Sequence, residues 1–559
     1  MSAKEFALPI IVNGRLLYPH ELPAEEVLTL RYESGAQLSI PRFTREHLAE
    51  MRREAAEIDA ELAEIPVRDV ISFLGRVGDR WDRRDLEGRM IVRRHAHQVT
   101  KFSELILESD YSTIGHFLAQ RFHLYDQIES EFGDQRIFDE WIPVQMGYRR
   151  AFPRGLALHY LVGNLPLASC YSLIRSMVSK NRTIAKLPSR DPVTPIGLAM
   201  AVIEVDPAHP VSRSLSLAYW PRDDEVGLEC MIEADTACVW GGDAALAAVK
   251  RAISPGVPLA EYGPKWSASV IDLDQVAAQD AAMRVVDDAY FYDQEACFNT
   301  QRVFVKGNVQ DFLPALQESC ERFVKNVPYL SHNADIMAHR SMTLREAMFM
   351  GYQVLQGDDW GIVVLPLDSP LRHPLARTIF VHQVDDVADV AKCLDRRNSQ
   401  TLSVYPWSLT HEHRDAWARA GADRIVELGW SKQPREGFTH DGTLVGVFMA
   451  SGMYLIVSGL GWRAVFLFGV LPLVLVAIAR SKVRESSRFL HIKALREAVK
   501  AGHQEEVARL RAERDVDVEA LRKGQFTQLF SKVGGVRRTA VTMSVTWLLY
   551  GLSRLIHRV

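Results

Sequence analysis

One cysteine in this sequence stands in a setting suited to nucleophilic work. The stretch Phe291-Tyr292-Asp293-Gln294-Glu295-Ala296-Cys297-Phe298-Asn299-Thr300-Gln301-Arg302 is polar and turn-like and runs into a β-rich segment, so Cys297 falls in a loop that leads into a strand. A thiolate placed there could attack an activated acyl carbonyl and hold the acyl group as a thioester. Cys170, Cys230, Cys238, Cys320 and Cys393 read instead as small, buried, apolar residues. Three polar segments precede Cys297. In Leu259-Ala260-Glu261-Tyr262-Gly263-Pro264-Lys265-Trp266-Ser267, a carboxylate and an amine bracket a Gly-Pro turn. Further upstream lie Gly163-Asn164-Leu165-Pro166 and Lys186-Leu187-Pro188-Ser189-Arg190-Asp191-Pro192.

The elements that must position these groups are legible from hydrophobic texture. From Thr44 to about Glu140 the chain is charged and helical in period, with Leu48, Met51 and Ala55 on one stripe. From Leu156 the texture changes. Short apolar runs, 156–162 and 182–187, flank a helix-like stretch carrying Leu167, Tyr171, Ile174 and Val178. Strand, helix, strand is the mark of a parallel sheet, and the alternation recurs at 237–240, 269–272 and 302–305, so roughly 150–430 should be α/β.

Composition narrows the function classes. A chain of 559 residues has room for two or three cores, and a net charge of −4 leaves no basic excess to neutralise phosphates, which argues against nucleic acid as a partner. The six cysteines form no CxxC pair and no zinc-like spacing, so no metal site is expected and a reducing cytoplasm suits them. The start, Met1-Ser2-Ala3-Lys4-Glu5, has neither the basic region nor the apolar core that routes a chain for secretion.

In order and approximate spacing, the Asn164, Lys186, Glu261 and Cys297 segments resemble the aldehyde dehydrogenase superfamily, and within it the bioluminescence-type fatty acyl-CoA reductases. The resemblance covers roughly residues 5–442, including the opening Leu8-Pro9-Ile10-Ile11-Val12-Asn13-Gly14. It implies an aldehyde-dehydrogenase-like α/β fold, with a mostly helical segment 1–150, a Rossmann-like NADP-binding domain 151–265 and a catalytic thiol domain 266–442. Asn164 and the Cys297 backbone N–H would stabilise the oxyanion, and Glu261 would serve as proton shuttle or base for Cys297. Lys186 would meet the cofactor ribose. No GxGxxG follows any strand, but Trp240-Gly241-Gly242-Asp243 offers close backbone approach at a helix N-terminus. Relatives that prefer NAD commonly carry an acidic residue three places after the lysine, where this chain has Ser189 followed by Arg190, a pairing that favours NADPH.

The activity so implied is reduction of a long-chain acyl-CoA, or of an acylated partner protein, to fatty aldehyde by a homo-oligomeric enzyme. Oxidation of an aldehyde or semialdehyde on the same scaffold is the alternative. Two positions depart from the superfamily pattern: Asp293 stands where most relatives have Gly, and Leu375-Ala376-Arg377 replaces a Glu-Ile-Phe-Gly-Pro segment that touches the nicotinamide ribose.

The texture changes again near Gly442. Residues 443–460 and 464–479 carry no charge, and a third apolar run covers 539–552. Arg480, Lys482 and Arg484 follow the second run, as the positive-inside rule expects on the cytoplasmic side. Residues 443–559 resemble a fragment of a major facilitator superfamily transporter, which implies a helical, membrane-spanning tail that would anchor a cytoplasmic enzyme to the inner membrane. Three spans cannot make the two six-helix halves that alternating access needs. A non-catalytic, membrane-attached fusion protein is the reading of another class.

Overall fold

The computed structural model describes residues 5–144, 147–222, 224–330, 334–433, 441, 449–450 and 487–513. The chain divides into two compact units, 1–456 and 457–559.

The first unit is built on two seven-stranded sheets. In the first, the strands run in the order Leu259–Tyr262, Thr236–Trp240, Leu156–Tyr160, Arg182–Lys186, Leu215–Ala218, Ile10–Val12 and Arg15–Leu17. The first five are parallel, and helices such as Pro166–Val178 and Val193–Val205 cross between them. Leu156–Tyr160, Leu215–Ala218 and Thr236–Trp240 are buried almost without interruption, as expected of a parallel sheet covered on both faces. Ile11 pairs antiparallel with Leu217 and begins a hairpin with Arg15–Leu17. The opening of the chain is therefore built into this sheet, while the helices Arg45–Glu64, Val67–Arg83, Glu87–Thr100, Glu104–Ala119 and Phe122–Phe132 follow it. Their apolar stripe is used for packing. Leu48 and Met51 are buried, and the Glu87–Thr100 helix lies along Val193–Val205, where Gly88 and Gly197 permit close approach.

The second sheet has the order Gln353–Gln356, Gly361–Val364, Thr378–Val384, Thr300–Lys306, Trp266–Asp272, Ser399–Tyr405 and Arg424–Glu427, parallel except for its first pair. The segments singled out by their chemistry all sit where chain leaves or joins these sheets. Asn164 follows a strand of the first and Lys186 ends one, Gly241-Gly242 follows Thr236–Trp240, and Cys297 precedes Thr300–Lys306 of the second.

The expected membrane spans at 464–479 and 539–552 lie outside the described residues, as does all of 443–460 except Met449 and Ala450. Those two depart from the membrane expectation. Both are buried in the first unit, where the Met449 carbonyl accepts from Asn181 Nδ2 at 2.8 Å and Ala450 bridges to Pro153. An uncharged run at the lower limit of a membrane span has the same composition as a segment covering a sheet, so hydropathy alone could not separate them. Among the described residues no helix is long and apolar enough to cross a membrane. Within the second unit, helices Ser487–Ala501 and Gln504–Glu513 turn on each other at Gly502, and the His491 ring meets the Leu510 carbonyl at 2.9 Å.

Candidate active site

Cys297 closes a tight loop between the end of helix Ala278–Tyr290 and strand Thr300–Lys306. Asn299 holds the loop shut: its Oδ1 accepts from Ala296 N at 3.0 Å, and its Nδ2 donates to the carbonyls of Asp288 and Phe291 at 2.9 and 2.6 Å. Ser267 fixes the far side by donating to the Cys297 carbonyl at 2.7 Å. The sulfur itself accepts a hydrogen bond from Gln400 Nε2 at 3.1 Å, from a strand about a hundred residues further on. Burial pushes the Cys297 thiol up to about 11, and the Asp441 carboxylate adds to this, whereas Gln400 and the buried Arg424 guanidinium act in the opposite direction. The resting group is a thiol with a donor and a cation already placed to favour its thiolate.

Asn164 lies in the turn between Leu156–Tyr160 and helix Pro166–Val178, whose start is fixed by a proline at its first position. Its Nδ2 donates one hydrogen to the Glu295 carbonyl at 2.6 Å. The second hydrogen of that amide is available to an oxyanion. Asn164 and Cys297 share a cavity of about 430 Å³ with Gly241, Gly242, Tyr262 and Lys265.

The remaining sequence-derived candidates divide between those the fold brings to this cavity and those it does not. Gly241 and Gly242 line it, with Gly242 capping helix Asp243–Ala252; a Cβ at Gly242 would meet nothing within 4 Å, so the backbone there is open to a bulky group. Lys186 ends its strand between two aromatic rings, 5.8 Å from the centre of Tyr160 and 5.4 Å from that of Tyr219. Burial first, then the charge of Arg222, lowers its amine to about 8. Ser189 meets the Tyr219 hydroxyl at 3.2 Å. Arg190, expected at a cofactor phosphate, also lines the cavity and pairs there with the Glu295 carboxylate at 2.7 Å, beside the Cys297 loop.

Glu261 is placed differently from expectation. It is not among the residues lining the cavity, because successive residues of a strand face opposite ways and it is Tyr262 that points in. Its carboxylate pairs with Lys250 of helix Asp243–Ala252 at 2.6 Å. Sequence reading missed Gln400, Arg424, Asn299 and Arg222. Gln400, Arg424 and Arg222 reach the site through the fold with no local motif to mark them, whereas Asn299 stands two residues after Cys297 in the same polar stretch.

A larger cavity of about 970 Å³ borders the same loop from another side, with Leu167, Phe117, Tyr171, Phe291 and Tyr292 in its walls and Arg84 and Lys432 among its polar residues. It adjoins both segments that carry the chemistry, since Leu167 follows Asn164 by three residues and Tyr292 precedes Cys297 by five.

Residues 62–445 match the acyl-CoA reductase (LuxC) family. The chain belongs to that family. It is 34% identical over 439 residues to the long-chain acyl-protein thioester reductase of Aliivibrio fischeri, covering 78% of this chain and 90% of the relative. It is equally 34% identical over 440 residues to the protein of the same name from Vibrio harveyi, again covering 78% and 90%. Among solved structures, the NADP-dependent glyceraldehyde-3-phosphate dehydrogenase of Bacillus halodurans, complexed with NADP, superposes with a TM-score of 0.62 over 80% of this chain and 98% of that one, at 15% identity. That similarity establishes the aldehyde-dehydrogenase-like fold expected from the sequence. The acyl-CoA reductase match ends at residue 445, and the comparisons lend no support to the transporter resemblance of 443–559.

Proposed function

We propose that this acyl-CoA reductase converts a long-chain acyl thioester to the fatty aldehyde through an acyl group held on Cys297. The observation that carries this reading is the juxtaposition of the Cys297 sulfur with the Gln400 donor at 3.1 Å, in a cavity that also holds the Asn164 amide. A nicotinamide, NADPH by preference, supplies hydride when bound.

The chain's own groups account for the remaining steps. The Cys297 thiolate attacks the acyl carbonyl, Asn164 Nδ2 and the Cys297 N–H hold the oxyanion, and the carbon–sulfur bond to CoA or to the acylated carrier breaks, releasing that thiol. After hydride reaches the acyl carbon, the bond to Cys297 breaks, and aldehyde leaves with the thiolate regenerated. One thioester, one reduced nicotinamide and one proton give one aldehyde, one thiol and one oxidised nicotinamide. Water takes no part. This fits the position of Glu261, whose carboxylate is held by Lys250 away from the cavity. In our reading the forward reaction does not depend on it.

Support for the long-chain substrate comes from the names of the curated relatives. Support for NADPH comes from the absence of an acidic residue at position 189, which is Ser189, and from the charge of Arg222 acting on Lys186, which together place two cations near a ribose phosphate. An acylated partner protein and CoA present the same thioester, and both are substrates in this reading. Homo-oligomer assembly and a cytoplasmic site of action remain part of the proposal on the family resemblance. Membrane attachment is kept for the uncharged run 464–479, with Arg480, Lys482 and Arg484 behind it, and recovery of the full chain in a membrane pellet tests it.

The central test is mass spectrometry of the protein incubated with tetradecanoyl-CoA. An adduct on Cys297 that disappears on adding NADPH, with tetradecanal formed, is expected; turnover by Cys297→Ala would overturn the reading. Oxidation of aldehyde with NAD and without CoA is the outcome that would favour an aldehyde dehydrogenase.

A further inference from the structure

Two short stretches leave the ordinary backbone conformations. Tyr292, Asp293 and Gln294 have φ of 63°, 56° and 62°, and Leu375, Ala376 and Arg377 have φ of 59°, 50° and 53°. None of the six is glycine, and L-residues with side chains visit this left-handed region singly if at all. These are also the two places where the sequence departs from the aldehyde dehydrogenase pattern.

The two departures meet. Arg377 Nε donates to Asp293 Oδ1 at 2.7 Å, and both side chains are fully buried. Arg377 Nη1 donates to the Val327 carbonyl at 2.7 Å, and the guanidinium stacks 5.3 Å from the centre of Phe323 and 5.2 Å from that of Tyr329. The next residue along, Thr378, donates its N–H to Gln294 Oε1 at 2.7 Å and accepts from Gln294 Nε2 at 2.7 Å. Tyr292, the third member of the first stretch, donates its hydroxyl to Asp110. Tyr292 is thus tied to helix Glu104–Ala119, and Asp293 and Gln294 to the neighbouring Arg377 and Thr378, with full charges exchanged between Asp293 and Arg377. Directly after the turn comes the Glu295 carbonyl that accepts from Asn164 at 2.6 Å, and two residues later the nucleophile.

We infer that Asp293 and Arg377 form a positioning pair for the reaction at Cys297. By holding the turn in its left-handed form, the pair aims the Glu295 carbonyl at Asn164 and keeps the Asn164 amide and the Cys297 N–H directed at one oxyanion. It also sets Leu375 in the wall of the Cys297 cavity. A merely structural ion pair would behave otherwise, because deleting both partners of such a pair in a protein interior is often neutral. The thiolate is stabilised from a separate direction, by Gln400 and Arg424, so the pair should govern acyl transfer and leave simple alkylation of the sulfur alone.

The inference rests on Cys297 carrying the acyl group, and one experiment separates the two claims. Wild type, Asp293→Ala/Arg377→Met and Arg377→Lys are compared by single-turnover acylation of Cys297 with tetradecanoyl-CoA, by the pH profile of Cys297 alkylation with iodoacetamide, and by thermal unfolding. In the double variant acylation should slow by about a hundredfold, the loss that a misplacement near 1 Å produces, with the alkylation profile and the melting temperature close to wild type. Arg377→Lys, which keeps the charge, should recover acylation to within about tenfold of wild type. If the double variant does not fold, Arg377→Lys decides alone, with slowed acylation and unchanged alkylation expected. Acylation at the wild-type rate, or parallel loss of acylation and alkylation, overturns the inference. A wild-type enzyme with no adduct on Cys297 removes both claims, whereas an adduct in wild type with unaltered variants removes only the positioning pair.

Discussion

Gln400 Nε2 donates to the Cys297 sulfur at 3.1 Å and to Asp441 Oδ1 at 2.7 Å, so a single amide joins the thiol to an acidic residue. The arrangement orients the donor: Asp441 anchors the amide, and the sulfur receives its hydrogen.

Replacing Gln400 with Leu removes the donor and keeps the bulk. A hydrogen bond to a charged group contributes about 1.5–3 kcal/mol, so the thiolate should become roughly one to two units harder to form. Alkylation of Cys297 by iodoacetamide at pH 8, followed by mass spectrometry, should slow by about tenfold or more. An unchanged rate would remove Gln400 from the site.

Lys186 gives the cofactor site a pH dependence. Burial lowers its amine to about 8, so the ammonium that can donate to a ribose hydroxyl is present below that value and is lost as pH rises through it. NADPH binding, followed by nucleotide fluorescence, should weaken by roughly tenfold for each pH unit above 8, and Lys186→Gln should bind weakly with a flat profile. A flat wild-type profile would place the cofactor elsewhere.

Arg222 should separate the two nicotinamides. Arg222→Ala is expected to weaken NADPH by about tenfold, near 1.4 kcal/mol, and to leave NADH within about twofold. Equal losses for both would mean that it reads no phosphate.

Glu261→Gln should leave NADPH-dependent aldehyde formation within about tenfold of wild type, since its carboxylate is held by Lys250 and the reductive direction needs no activated water. A loss comparable to that of Cys297→Ala would show that the ion pair opens during turnover and that Glu261 handles a proton.

His159 is fully buried on a central strand of the first sheet, and neither ring nitrogen has a hydrogen-bond partner among the described residues. Burial lowers it to about 4, so the folded chain keeps it neutral while the unfolded chain protonates it below about 6.5. Its neutral form therefore supports folding fully above 6.5, and that support is lost as pH falls toward 4. At pH 5 the loss is on the order of 2 kcal/mol. The drop in melting temperature between pH 7 and pH 5 should be smaller in His159→Leu than in wild type, and equal drops would refute the assignment.

Much of the fold was legible because parallel strands write themselves as short apolar runs. The runs beginning near Leu156, Arg182, Ala237, Ser269 and Arg302 became strands within a few residues of where the pattern placed them. Cys297 and Asn164 were legible because each carries its context beside it in the chain. The partners of Arg190 and Glu261 were not legible, because sequence order gives proximity but not the direction of a side chain: Arg190 pairs with Glu295 and Glu261 with Lys250. Gln400 was invisible because its contact with Cys297 depends on the alignment of Trp266–Asp272 with Ser399–Tyr405, a long-range register that no local spacing records. The start of the C-terminal run was misread because Met449 and Ala450 cover a sheet with the same residue types that would face lipid.

The Glu261–Lys250 ion pair bears on what the protein does between turnovers. On the reading proposed above, with Glu261 held by Lys250 and no activated water called for, an acyl group on Cys297 leaves either by return to the thiol that delivered it or as aldehyde once reductant arrives. A shortage of reducing equivalents would then hold the acyl chain on the protein, without losing it as free acid, and their supply would set the pace of aldehyde release.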